Sequence, residues 1–291
     1  MPVYTPNQPW GGGDQPAPAI LAIGDSWFWY PHNNLLDAIL AHRKFNRAYA
    51  GIQLFGYNGA HVADYVGKGR YAKDFAAELA STWAPYYSAF FISGGGNDAV
   101  CYPDPDTGPE HLGLKDDCRG IADPLDCFDA ARLDELLKII SGSMGTLVHD
   151  ILWAVERDFA SGKRTNDVDV FLHGYDRPVA DGRGAGIGPF ELAGPWLAKW
   201  MNAANVNGDL AYRTAIAAAL IDHLNETLAA FDGQGSGRVH FIDCRRALSP
   251  ELAGNRYQRD WANELHPTPA GFDRVVDRKW IPVLRQYKYA T

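Results

Sequence analysis

Three short stretches of this 291-residue chain carry side chains that can do chemistry together. The first is Ile23-Gly24-Asp25-Ser26-Trp27, which follows an apolar run and precedes a helical pattern. A serine at a strand-to-helix turn is held up at the edge of a sheet. Backbone N–H groups at the helix start then surround its hydroxyl and can hold an oxyanion. Gly-Asp-Ser by itself is also an ordinary turn with a helix cap, so it gains meaning only from partners. The second stretch is Ser93-Gly94-Gly95-Gly96-Asn97-Asp98, after another apolar run. Its glycines let a substrate approach the backbone closely, and Asn97 offers an amide donor for the same oxyanion. The third is Glu264-Leu265-His266-Pro267-Thr268-Pro269-Ala270-Gly271-Phe272. Pro269 suits the first turn of a helix with Thr268 as its cap, which leaves His266 on a stiff loop. The other eight histidines are scattered. A serine hydroxyl needs a general base, and His266 is the residue placed to supply one.

These residues need a scaffold that brings the first and last of them together. Apolar runs bounded by turn residues predict strands over Ala19–Ile23, Gly51–Phe55, Ser88–Ile92, Val168–Leu172 and Val239–Ile242. Helical patterns fall between them, over Leu35–His42, Val62–Val66 continuing into Ala72–Ser81, Ala131–Phe159, Tyr212–Phe231 and Ala270–Leu284. The alternation implies an α/β fold, a mainly parallel sheet covered on both faces. Residues 1–18 read as an extended arm and 19–291 as a single domain with no internal repeat. Two insertions, near 100–129 and 174–209, leave the C-terminal ends of predicted strands, where open α/β sheets build their sites.

In this order, the three stretches resemble the catalytic blocks of the SGNH (GDSL-type) hydrolases. Those are a Gly-Asp-Ser nucleophile turn, a glycine, a Gly-x-Asn-Asp turn and a terminal Asp-x-x-His. The resemblance runs from Gly24 to His266 and says little about the insertions. It implies a three-layer, flavodoxin-like fold with a five-stranded sheet in the order 2-1-3-4-5, and ester hydrolysis through an acyl-enzyme on Ser26. In Phe55-Gly56-Tyr57-Asn58-Gly59-Ala60-His61 it matches the glycine to Gly59 in preference to Gly56. The oxyanion donors it implies are the backbone N–H groups of Ser26 and Gly59 and the side chain of Asn97.

One position departs from that pattern: the acid expected three residues before the histidine is Asn263. An amide can accept from the imidazole N–H but brings no charge. In serine proteases the matching acid-to-amide change lowers kcat by about 10⁴, largely through the wrong tautomer. Asp260, Glu264, Asp243 and a backbone carbonyl stay open as substitutes, with Asn263 as the expected orienting residue. Trp27, Tyr175 and Asp176 are expected at the substrate pocket, Asp176 also as a turn cap. Trp196, Trp200 and Met201, at near-helical spacing, read as core or as an apolar wall over the acyl site. Gly182-x-Gly184-x-Gly186-x-Gly188 lacks the spacing of a nucleotide loop.

Composition excludes other classes. A net charge of −8 with no basic run argues against nucleic-acid or anionic-membrane surfaces. No apolar stretch approaches the ~20 residues of a membrane span. The start shows no signal peptide, so a cytoplasmic location is the default expectation, with a secreted mature form left open. Cys101, Cys118 and Cys127 crowd one region, as free buried thiols or with one disulfide; Cys244 follows a strand. No metal or cofactor is called for, and oligomeric state stays open. The sequence therefore reads as a serine carboxylic-ester hydrolase acting on a small-molecule or glycan ester. A carbohydrate O-deacetylase and, given Asn263, a non-catalytic binding protein are the alternatives.

Overall fold

The computed structural model describes residues 3–5, 17–30, 33–49, 51–100, 112–187 and 190–291. Strands and helices follow one another along these residues. In chain order they begin β1 (Val3–Tyr4), β2 (Ile20–Gly24), α1 (Ser26–Trp29), α2 (Leu35–Ala41), β3 (Ile52–Gly56), α3 (Ala72–Leu79), β4 (Ala89–Ser93) and α4 (Gly96–Val100). There follow α5 (Ala130–Ala160), β5 (Asp169–His173), β6 (Ala185–Ile187), β7 (Phe190–Ala193), α6 (Leu197–Ala203), α7 (Leu210–Ala229) and β8 (Val239–Ile242). The chain closes with α8 (Pro269–Val275), a π-helical turn over Val276–Trp280, and α9 (Ile281–Gln286).

The main sheet is parallel throughout, in the order β1-β3-β2-β4-β5-β8. From β3 to β8 this is the flavodoxin-like 2-1-3-4-5 order. The count is six strands, not five, because Val3–Tyr4 of the expected N-terminal arm pairs with Ile52–Gln53. A partner there occupies the hydrogen-bonding groups that β3 would otherwise present at an open edge. Every residue of β2, β3 and β4 is buried, which is why these strands read as mainly apolar runs, with Gln53 a buried polar exception in the body of β3. A fully buried Phe or Ile such as Phe90, Phe91 or Ile92 contributes roughly 1.5–3 kcal/mol relative to exposure.

On one side α5 and α7 pack together; α2 packs against α8 and the π turn. Helix α5 starts where Asp129 accepts from the N–H groups of Ala131 and Arg132. Its buried stripe, Leu133, Leu136, Ile140, Met144, Leu147 and Ile151, keeps the three-and-four spacing of an amphipathic helix. Among the described residues no helix is long and apolar enough to cross a membrane.

Several sequence expectations need correction. The helix expected from Val62 is a 3-10 turn (Val62–Tyr65), broken before α3 by Gly67 at a φ of +59°. The insertion at 174–209 is not bare loop: it holds the β6–β7 hairpin and α6. In the other insertion, residues 101–111 and so Cys101 lie outside the described residues. Cys118 and Cys127 are free and buried, as is Cys244. The Cys118 thiol points at the Cys127 carbonyl, 3.7 Å away, and the Cys127 sulfur lies 3.3 Å from the Tyr212 hydroxyl.

Candidate active site

The parallel register sets Gly24 beside Gly56 and Ser93, and Ser93 beside His173. The chain therefore leaves four neighbouring strands at one rim, through residues 25–26, 57–62, 94–98 and 174–176. Gly24 suits its place, since a Cβ there would stand 2.6 Å from the Ser93 carbonyl oxygen. Asp25 caps α1, its carboxylate accepting from the Trp27 N–H at 3.0 Å. It also accepts from the hydroxyls of Ser93 (2.7 Å) and Tyr175 (2.5 Å), so its charge is buried but fully engaged. Ser26 follows as the first residue of α1.

His266 arrives at the same rim from the other end of the chain. Its Nε2 lies 2.7 Å from Ser26 Oγ, and its Nδ1 lies 3.1 Å from Asn263 Oδ1. The segment is a tight bend closed by a bridge between Trp261 and Pro267, not a helical turn. Asn263 still faces the ring, because its Oδ1 accepts from the backbone N–H groups of Leu265 and His266, each at 2.9 Å. Those two donors fix the oxygen, not the NH₂, toward the imidazole. Nδ1 consequently carries the proton, and the Nε2 lone pair meets the serine hydroxyl. Thr268 caps α8 as its sequence suggested, accepting from the Gly271 N–H.

None of the rival carboxylates supplies an acid to the ring. Asp243 pairs with Arg245 near the surface. Asp260 accepts from the Ser249 N–H and pairs with Arg274. Glu264, fully buried, accepts four backbone N–H groups, from Gly182, Trp196, Leu197 and Ala198. Burial pushes its carboxyl upward, and those four donors oppose the shift. Burial also lowers His266 to about 4, with the charge of Asp25 working in the opposite direction.

Asn97 lines the same pocket as Ser26, with Trp27, Tyr175 and Asp176 also in its wall. One Asn97 amide hydrogen goes to the Ala60 carbonyl at 3.0 Å, which leaves the second for a ligand. Asp98 takes the Val62 N–H on both carboxylate oxygens, and burial pushes it up to about 7. Together Asn97 and Asp98 fasten the loop that carries Gly59. That residue stands in a left-handed turn at a φ of +72°, outside the residues lining the pocket. Neither the Ser26 nor the Gly59 N–H has an acceptor among the described residues.

Trp27 does more than line a wall. Its indole donates to the Leu265 carbonyl at 2.9 Å and tethers α1 to the histidine loop. Asp176 holds the N–H groups of Arg246 and Leu248, the cap expected of it. Of the apolar trio, Met201 is buried, while Trp196 sets its ring edge-on to His266 at 5.6 Å. Tyr30 covers the other part of that ring at 4.9 Å, and Trp261 and Leu265 join the pocket wall. Sequence reasoning had no signal for Tyr30 or Trp261, whose places depend on the fold.

No family model and no curated protein matches this chain. Among solved structures it is similar to an extracellular lipase from Streptomyces rimosus, at 16% identity over 93% of this chain and 99% of that one, with a TM-score of 0.38. A putative acylhydrolase from Bacteroides fragilis is 15% identical over 98% and 91%, with a TM-score of 0.43. A phospholipase A1 from Streptomyces albidoflavus is 17% identical over 92% and 98%, with a TM-score of 0.39. What the site can do follows from its own geometry. A hydroxyl, a neutral imidazole of fixed tautomer and free N–H donors on one rim form the groups needed for acyl transfer.

Proposed function

We propose that the chain is a serine carboxylic-ester hydrolase. The observation that carries this reading is the hydrogen-bonded series from Ser26 Oγ to His266 Nε2, at 2.7 Å, and from Nδ1 to Asn263 Oδ1, at 3.1 Å.

In this mechanism Ser26 Oγ attacks the ester carbonyl while Nε2 takes its proton. The imidazolium then returns that proton to the leaving alcohol, and water repeats the cycle on the acyl-enzyme. The developing oxyanion is held by the N–H groups of Ser26 and Gly59 and by Asn97, each worth roughly 3 kcal/mol by analogy with a measured donor. Asn263 keeps Nδ1 protonated throughout. It adds no charge, so the imidazolium is stabilised less than beside a carboxylate. An O-deacetylase of glycans is the narrower version of the same chemistry, separated by acetate release from an acetylated polysaccharide. A non-catalytic binding role is supported by the missing acid and opposed by the tautomer that the amide enforces.

Turnover of p-nitrophenyl acetate by the wild type and by Ser26→Ala tests the reading. The wild type hydrolyses the ester and the variant, with unchanged circular dichroism, loses all activity above background. Equal turnover by both would sink it.

A further inference from the structure

The chain is acidic overall, yet one open cavity of about 470 Å³ gathers four arginines. Arg256 and Arg259 come from the 3-10 turn Ala253–Arg259, and Arg274 and Arg278 face them from α8 and the π turn. Only two carboxylates join them. Glu251 pairs with Arg256 and Asp260 with Arg274. Arg278 spends one N–H on the Ala247 carbonyl, and Arg259 has no side-chain partner among the described residues. Two guanidinium charges are left without an acid.

The neighbouring acids on the same helical stretch point elsewhere: Asp277 meets His42, and Asp273 lines a different groove. Arg274 and Arg278 stand four residues apart, a spacing at which like charges repel. Two arginines without an acid line the same open cavity as two paired ones, which leaves it with surplus positive charge. Their planar forks match tetrahedral and planar oxyanions, and two surplus charges match a dianion.

From this arrangement we infer a binding site for a dianionic oxyanion of the phosphate class, either free phosphate or a phosphomonoester. It is separate from the pocket beside Ser26 but adjoins it. Asp260 precedes Trp261 of the catalytic pocket, and Leu248 of the arginine cavity hydrogen-bonds Asp176 of that pocket. The inference does not depend on the proposed ester chemistry, because its test reads binding.

Isothermal titration of the full chain at constant ionic strength, with inorganic phosphate in one arm and glycerol phosphate in another, decides it. The wild type should bind one equivalent saturably in at least one arm, and the tighter arm identifies the source. The double variant Arg259→Gln, Arg278→Gln should bind at least about tenfold more weakly, since both unneutralised forks are removed. Without ligand that variant should melt no lower than the wild type, its repulsion being relieved. No saturable heat in either arm, or equal affinity in the double variant, overturns the site.

Discussion

Asn263 stands where a triad carboxylate is expected, and the outcome turns on which atom of its amide faces the imidazole. In an unsupported Asp→Asn change the NH₂ can turn to the ring and force the wrong tautomer. Here the N–H groups of Leu265 and His266 hold the oxygen in place, so only the charge is lost. Burial holds this base far below the ordinary imidazole range, at about 4, and Asn263 brings no charge to oppose it. General-base catalysis needs the neutral ring, so kcat/KM should rise with pH through that value and then level. Asn263→Asp keeps the same three acceptor bonds and adds a negative charge, which favours the imidazolium. Its acid limb should therefore move to higher pH, with a plateau equal to or above that of the wild type. A pH profile of p-nitrophenyl acetate turnover checks this, and an unmoved or lowered midpoint would contradict it.

At the scale of elements, Glu264 joins the histidine loop to the insertion at 174–209. Its carboxylate gathers N–H groups from Gly182 and from the start of α6, while Arg183 reaches back to the carbonyls of Trp261 and Ala262. In Glu264→Gln the amide NH₂ faces two of those donors and accepts from neither. Losing two charge-assisted bonds in a buried place should cost about 3 kcal/mol, read by denaturant unfolding. Ester turnover should fall as well, because residues 263 and 266 flank the substitution. Such long-range roles were not legible in the sequence, where Glu264 was one more carboxylate near a histidine. The strands were legible, although four of the five begin and end one residue later than expected. Gly24, Gly56, Ser93 and His173 are not apolar, so the pattern stops before the ladder does. The β6–β7 hairpin was missed because its glycine-rich sequence gives no alternation to read.

At the scale of the molecule, the sheet order follows from a few rules that the sequence already obeys, namely alternating elements and buried parallel strands. The three catalytic stretches were visible because each sits where a strand gives way to a turn. Their convergence was an inference, since Ser26 and His266 are 240 residues apart. The added strand at Val3–Tyr4 was not legible, two residues being too few for any periodicity. The state of the cysteines was also undecided by composition, and the three described thiols are free. With Cys118, Cys127 and Cys244 all free, no covalent link among them holds the fold, so the melting temperature should be the same with and without reductant. A drop on reduction would show a covalent link and contradict the free-thiol packing.

The central claim is that Ser26 is a hydroxyl activated by His266. Incubation with a fluorophosphonate, followed by peptide mass spectrometry, tests it most directly. A single adduct is expected on Ser26, formed at least about a hundredfold more slowly in His266→Ala, in line with the usual worth of a general base. An unmodified Ser26 in the folded wild type, or labelling that ignores the loss of His266, would contradict the account.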